Sequence, residues 1–282
     1  MLIICLDYDR FRRKNPFQRA KWAESLEGKK MDIALILPIV LLAFVCELVD
    51  SSLGMGYGTT LTPVLLAIGY DPLEIVPAVL LSEFVTGVLA GVLHHEFGNV
   101  NLRPGSQDFK VMVVLSVLSM VGALLAVEIA VSLPKQAVKL YIGLVVLVMG
   151  LVILRNRKQE MSFSWRRIAG LGFIAAFNKG ISGGGYGPVV TGGQVLSGIC
   201  GRAAIGITSL AEGITSLTGV IVYLSSGAPI PWHLAPSLLL GAVLSVPIAA
   251  YVVSRAPTGR LTVLIGGLST ALGGYTLLRL VV

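Results

Sequence analysis

The run Leu53-Gly54-Met55-Gly56-Tyr57-Gly58-Thr59-Thr60 sits inside an otherwise apolar stretch, and Ser182-Gly183-Gly184-Gly185-Tyr186-Gly187-Pro188 answers it about 129 residues later. Carried forward from the clusters, the same offset sets Glu83 on Glu212 and Thr86 on Thr215, each pair deep in hydrophobic sequence. Nearer the ends of the two halves, Ile142, Gly143 and Gly150 match Ile265, Gly266 and Gly273 at a slightly shorter offset. Glycine breaks and intramembrane acids stated twice are the pattern of a transporter assembled from two related halves.

The rest of the chain fits that setting. Of 282 residues, 55% are hydrophobic and only 13% charged, and the mean hydropathy is +0.83, too apolar for a soluble core to absorb. The apolar runs are long and unbroken by charge, which excludes the alternating pattern of an outer-membrane barrel and leaves helices as the spanning element. Cys5, Cys46 and Cys200 have no CxxC spacing and support neither a disulfide framework nor a metal site. The net charge of +7 is not a nucleic-acid footprint, because eight of the 22 basic residues crowd into residues 1–30 and most others occupy short loops. Nothing calls for a cofactor, and no GxxxxGK[ST] motif suggests nucleotide use.

These features predict an all-α polytopic membrane protein of two homologous halves, each of about four membrane elements, with a glycine-broken first element. The divisions are a basic cytoplasmic extension over 1–32, repeat 1 over 33–155, a basic cytoplasmic linker over 156–167 and repeat 2 over 168–282. Single crossings are expected near 74–95, 110–132, 137–155, 203–225, 234–254 and 261–281. Segments 33–70 and 168–201 are too long for one crossing: a straight helix of that length runs roughly 50 Å or more against a hydrocarbon core of about 30 Å. Each must break or fold back at its glycines, with Pro63 and Pro188 just beyond, and Asp71-Pro72 then opens the next span as N-cap and first-turn proline.

Basic residues cluster before the first span and in the linker, at Arg155, Arg157, Lys158, Arg166 and Arg167, so both regions are expected on the cytoplasmic side of the cell's inner membrane. An even number of crossings between them gives four plus four with parallel repeats; two short crossings per broken segment give five plus five with inverted repeats. Charge bias prefers the first.

A helix interrupted at membrane depth frees backbone groups that lipid cannot satisfy, so the breaks must line a protein cavity. The half-helix beginning after each cluster presents N–H groups and a positive dipole end to an anion. Gly54, Gly56, Tyr57, Gly58, Thr59, Ser182, Gly183, Gly185, Tyr186 and Gly187 are the candidate binding residues. The tyrosines either give a hydroxyl to the substrate or wedge the break open. Lys179 joins them as the basic residue well inside an apolar segment, and it matches Asp50 across the repeat with reversed sign. It serves either the anion or an internal ion pair. Glu83, Glu212 and Asp50 are candidates for proton coupling, or else they cap freed N–H groups and tie the halves together. Glu47 shares a helix face with Asp50, Glu128 is expected to snorkel to the interface, and His94-His95 read as a solvated helix end.

The duplicated breaks Gly54–Gly58 and Gly183–Gly187, each followed about 25 residues later by Glu83 or Glu212, resemble the TauE/SafE family of sulfite exporters over roughly residues 33–282. The resemblance implies a permease of two related halves with sulfite, sulfoacetate or other sulfur-containing or organic anions as cargo. Met55 stands where the second copy has Gly184, so the two breaks are not equivalent.

The reading is a secondary transporter, an exporter of small anions such as sulfite or organosulfonates and not an enzyme, with protons as a possible coupling partner. A passive anion channel and an uptake permease for organic acids share these features. Gly180-Ile181-Ser182-Gly183 also spells the GxSG of an intramembrane serine protease, a remote alternative because the serine would need a histidine within reach, and His233 lies in a loop.

Overall fold

The computed structural model describes residues 33–70, 72–130, 135–155, 162–182, 186–225 and 230–281. All regular structure among them is helical. In chain order the helices are α1 Ile33–Leu53, α2 Tyr57–Ile68, α3 Pro72–Glu96, α4 Gln107–Ala130, α5 Lys135–Arg155, α6 Trp165–Ser182, α7 Tyr186–Leu196, α8 Gly201–Ser225, α9 Ala235–Arg255 and α10 Thr258–Val281. Among the described residues five helices are long and apolar enough to cross a membrane, in α1, α3, α8, α9 and α10. The expected single crossings correspond to α3, α4, α5, α8, α9 and α10. Segment 33–70 divides between Leu53 and Tyr57, and 168–201 divides around residues 183–185, which lie outside the described set. Pro72 is the first residue of α3, as a first-turn proline should be; its proposed N-cap, Asp71, lies outside the described residues, as do the N-terminal extension and the first half of the linker.

The long helices are sided in the membrane sense. On α1, Leu37, Leu41 and Val45 are exposed at i, i+4 spacing while Ile39, Ala43 and Cys46 are buried. Val113, Val117 and Val121 on α4, and Leu240, Leu244 and Ile248 on α9, form similar exposed apolar stripes. Such continuous surfaces suit lipid rather than water, whereas Ser82, Thr86, Thr208, Ser216 and Ser245 turn inward.

The first five and last five helices interlock. One apolar cluster joins α1, α2 and α3 with α9, and another joins α6, α7 and α8 with α4 and α5. The first therefore takes one helix, and the second two, from the other half of the chain. Glycines set the crossings: a Cβ on Gly87 of α3 would lie 2.6 Å from the Ser209 carbonyl of α8, and one on Gly150 of α5 would lie 2.5 Å from the Thr270 amide of α10. Only a bare backbone allows helices this close.

The same contacts fix direction. Along α3 and α8, Glu83 meets Ser216, Gly87 meets Gly213, Gly91 meets Leu210 and His94 meets Gly206. Numbers rise on one helix as they fall on the other, so the pair is antiparallel. Helices α5 and α10 behave alike, with Gly143 against Leu277 and Gly150 against Gly266. Parallel four-plus-four repeats would run α3 with α8, and α5 with α10, in the same direction; among the described residues both pairs run oppositely, against the preference drawn from charge.

A further correction follows for the chain's entry. One end of the bundle gathers the start of α6 and the α7–α8 and α9–α10 turns: Arg167 donates to the Leu196 carbonyl at 2.7 Å and Arg202 to the Ala256 carbonyl at 2.6 Å. At the opposite end His233 lies 3.8 Å from Glu74. Helix α1 begins at the Glu74 end, since its last turn reaches His94 near the far end of α3. Ile33 and Trp165 thus lie at opposite ends, not on the shared face expected for the extension and the linker. The physical reason is that the chain doubles back: α2 starts level with Ser82, halfway along α3, and returns to the start of α3, making the number of elements odd.

Candidate functional site: the polar break inside the bundle

Between Leu53 and Tyr57 the chain leaves the helix at Gly54 (φ 71°) and Gly56 (φ 135°), values that strain any residue bearing a Cβ. The backbone groups there find side-chain partners. The Thr191 hydroxyl of α7 donates to the Gly54 carbonyl at 2.9 Å, and His94 Nε2 lies 3.0 Å from the Ser51 carbonyl. Because a carbonyl only accepts, His94 carries its proton on Nε2, leaving Nδ1 to accept from Asn99 Nδ2 at 2.9 Å. The expected solvated helix end is therefore corrected for His94, which is fully buried with both ring nitrogens engaged. A buried carbonyl left without a donor would cost about 1–3 kcal/mol.

Carboxylates gather at the same place. Asp50 Oδ1 accepts the Tyr57 amide at 3.1 Å, capping α2 at its first residue. Glu83 Oε1 lies beside Gly58, where a Cβ would come within 2.8 Å of it, and Oε2 accepts the Ser216 hydroxyl of α8 at 2.9 Å. Glu47, only 2% exposed, takes the Ser51 hydroxyl at 2.6 Å and stands within electrostatic range of both Asp50 and Glu83. The positive end of α2 thus faces the protein's own acids. Tyr57 shares a hydrogen bond with Ser82 at 2.8 Å, while the Tyr186 hydroxyl accepts from Ser119 at 2.9 Å.

The first turn of α7 touches the first break. A Cβ on Gly187, one residue into α7, would lie 2.7 Å from Met55 Cα. From there a polar chain runs inward: Thr191 and Thr208 share a hydrogen bond at 2.9 Å, and Gln194 Nε2 donates to Thr208 at 2.8 Å. Glu212 lies on α8 one residue from the Gly87–Gly213 crossing. The offset that pairs it with Glu83 pairs Ser216 with Gly87, so the hydroxyl that binds Glu83 is a glycine in the other half.

Gly54, Gly56, Tyr57, Gly58, Asp50, Glu83, Tyr186 and Gly187 therefore meet around one locus. Gly183 and Gly185 lie outside the described residues, and the side chains of Thr59, Lys179 and Ser182 do too, though their backbones belong to α2 and α6. Glu47, His94, Asn99, Thr191, Thr208 and Gln194 were not singled out as site residues from sequence. Of these, Glu47 carried the signal that picked out Glu83, a charge inside an apolar run. Among the described residues no group of three or more His, Cys, Asp or Glu is arranged to hold a metal.

A lipid-facing helical bundle with a polar, helix-broken interior defines a membrane transport protein. The chain belongs to the sulfite exporter TauE/SafE family, whose model matches residues 39–276. It is similar to the probable membrane transporter protein YtnM of Bacillus subtilis (strain 168), 31% identical over 259 residues, covering 86% of this chain and 83% of that protein. No solved structure matches it.

Proposed function

We propose that the protein is a secondary carrier that exports small anions such as sulfite or organosulfonates across the inner membrane, built from two inverted repeats whose glycine breaks form the transport site. The observation that carries this reading is the inequality of the breaks. At the first, Asp50 already fills the N-terminus of α2; at the matching position of the second stands Lys179. The first break is thus closed by the protein's own carboxylate, and the second, with Lys179, Ser182, Gly183, Gly185, Tyr186 and Gly187, takes the anion. Glu83 and Glu212 flank the crossing of α3 and α8 and couple the cycle to protons or hold the repeats in register. With the Arg167 end cytoplasmic, as its basic residues favour, Ile33 enters from the outer face. No nucleotide motif is present, so the energy comes from a gradient.

Flux in proteoliposomes against sulfite, sulfate, thiosulfate, sulfoacetate and lactate tests the proposal. A carrier gives saturable flux accelerated by substrate on the far side. Conductance without saturation would instead establish the channel, and lactate uptake without sulfite flux the organic-acid permease.

A further inference from the structure

One exposed face of α9 changes character along its length. Leu240, Leu244 and Ile248 form its lipid-facing stripe, and the same face continues at i+3 and i+4 through Tyr251 to Arg255, both exposed. The 21 residues of Ala235–Arg255 rise about 30 Å, the thickness of the hydrocarbon core. The face therefore runs from acyl-chain depth to the interface, where an amphipathic ring belongs, and ends on a cation at headgroup level.

The surroundings of that cation build a headgroup site. The Arg255 guanidinium lies over the Tyr251 ring, 5.4 Å from its centroid, which fixes a side chain that would otherwise sweep through solvent. The Tyr251 ring is set edge-on against exposed Phe97 of the α3–α4 connection, at 6.1 Å and 70°. Arg202, at the start of α8, donates through Nε and Nη2 to the Ala256 carbonyl, at 3.2 and 2.6 Å, and so stands beside the turn that Arg255 opens. It offsets the negative end of α9. Arg260, exposed, closes the same turn, its amide donating to the Pro257 carbonyl at 2.9 Å. Among the described residues no carboxylate forms an ion pair with any of the three arginines. Glu96, next to Phe97 in the chain, is the acid adjacent to the cluster in sequence. Three arginines against one glutamate repel the ammonium of a zwitterionic headgroup and attract a phosphodiester that brings no cation of its own.

We propose that the α9–α10 turn holds the headgroup of an anionic phospholipid of the cytoplasmic leaflet, with its acyl chains along the Leu240–Ile248 stripe. Arg255 and Arg260 bind the phosphate, and Arg202, engaged with the turn itself, adds charge. Tyr251 and Phe97 border the lipid's glycerol backbone. Phe97 comes from the first half of the chain and the other four residues from the second, so one bound lipid touches both. The site is independent of the cargo and of the carrier reading above.

Delipidated protein in a nonionic detergent, titrated with dioctanoyl phosphatidylglycerol, dioctanoyl phosphatidylcholine or inorganic phosphate, tests the site through its melting temperature. Phosphatidylglycerol should raise it saturably, and the other two should leave it unmoved at the same concentrations. The double variant Arg255→Gln, Arg260→Gln should raise the half-saturating concentration of phosphatidylglycerol by about tenfold or more. Arg260→Gln alone, on an exposed residue, should raise it about fivefold, and native mass spectrometry of that variant should show fewer retained phosphatidylglycerol molecules. Arg103→Gln, an exposed arginine at the same end of the bundle, should not shift it. Equal stabilisation by phosphatidylcholine or by phosphate would overturn the lipid site, as would a half-saturating concentration that the substitutions at Arg255 and Arg260 leave unchanged. A shift as large in Arg103→Gln would reduce the effect to net charge and overturn it equally.

Discussion

Gly54 is constrained twice over, by its backbone angle and by what surrounds it. Its φ of 71° already disfavours a side chain, and a Cβ would collide with the Thr191 hydroxyl that satisfies its own carbonyl. Gly54→Ala is therefore expected to remove most folded protein from detergent extracts, measured by fluorescence-detected size exclusion. Thr191→Val keeps the shape but strands the Gly54 carbonyl, a loss of about 1–3 kcal/mol; thermal unfolding in detergent should drop clearly for Thr191→Val and little for Thr191→Ser. An unchanged melting temperature in Thr191→Val would mean that the carbonyl finds another donor. At this scale the sequence was legible where backbone geometry required a residue type, hence the glycines, and where a charge stood in apolar surroundings, hence Glu83. It was not legible for Thr191, His94 and Asn99. Threonine, histidine and asparagine occur at helix ends and faces for many reasons, and only the fold reveals that these three meet an interrupted backbone.

At the scale of elements, the positions of the long helices followed from apolar run length, because spanning a hydrocarbon core fixes a minimum number of residues. Their directions did not. Charge bias counts loop residues, and it weighed the basic residues before Ile33 as if an even number of crossings separated them from the linker. The return of α2 makes the number odd, and return or continuation after a break is decided by packing against α3, which hydropathy does not record. The glycine crossings supply an internal control for the packing claim. Gly87→Ala places a methyl against backbone of α8, so it should lower both yield and thermal stability. Gly267 and Gly274 in α10 have open space where a Cβ would sit; Ala there should be neutral or raise helix stability by up to about 1 kcal/mol. Equal tolerance of all three substitutions in thermal-shift measurements would refute close packing at the α3–α8 crossing.

For the whole molecule, antiparallel matched helices place Arg103 and Trp232 at opposite ends of the bundle, Trp232 being 66% exposed beside the His233–Glu74 contact. In a Cys5→Ser, Cys200→Ser protein in intact cells, a membrane-impermeant maleimide should label Trp232→Cys, and label Arg103→Cys only after permeabilisation. Labelling of both from outside would contradict the topology. Membership of the sulfite exporter TauE/SafE family was legible in the glycine–glutamate pattern. The proposal gives the halves separate work: Asp50 caps α2, and the second break, with Lys179 near it in sequence, takes the anion. The most direct test of that assignment is counterflow of radiolabelled sulfite in proteoliposomes, comparing the unaltered protein with Lys179→Ala. Saturable counterflow that disappears in Lys179→Ala, with the variant folded and reconstituted normally, is the expected result. Full counterflow in Lys179→Ala would contradict an anion site at the second break.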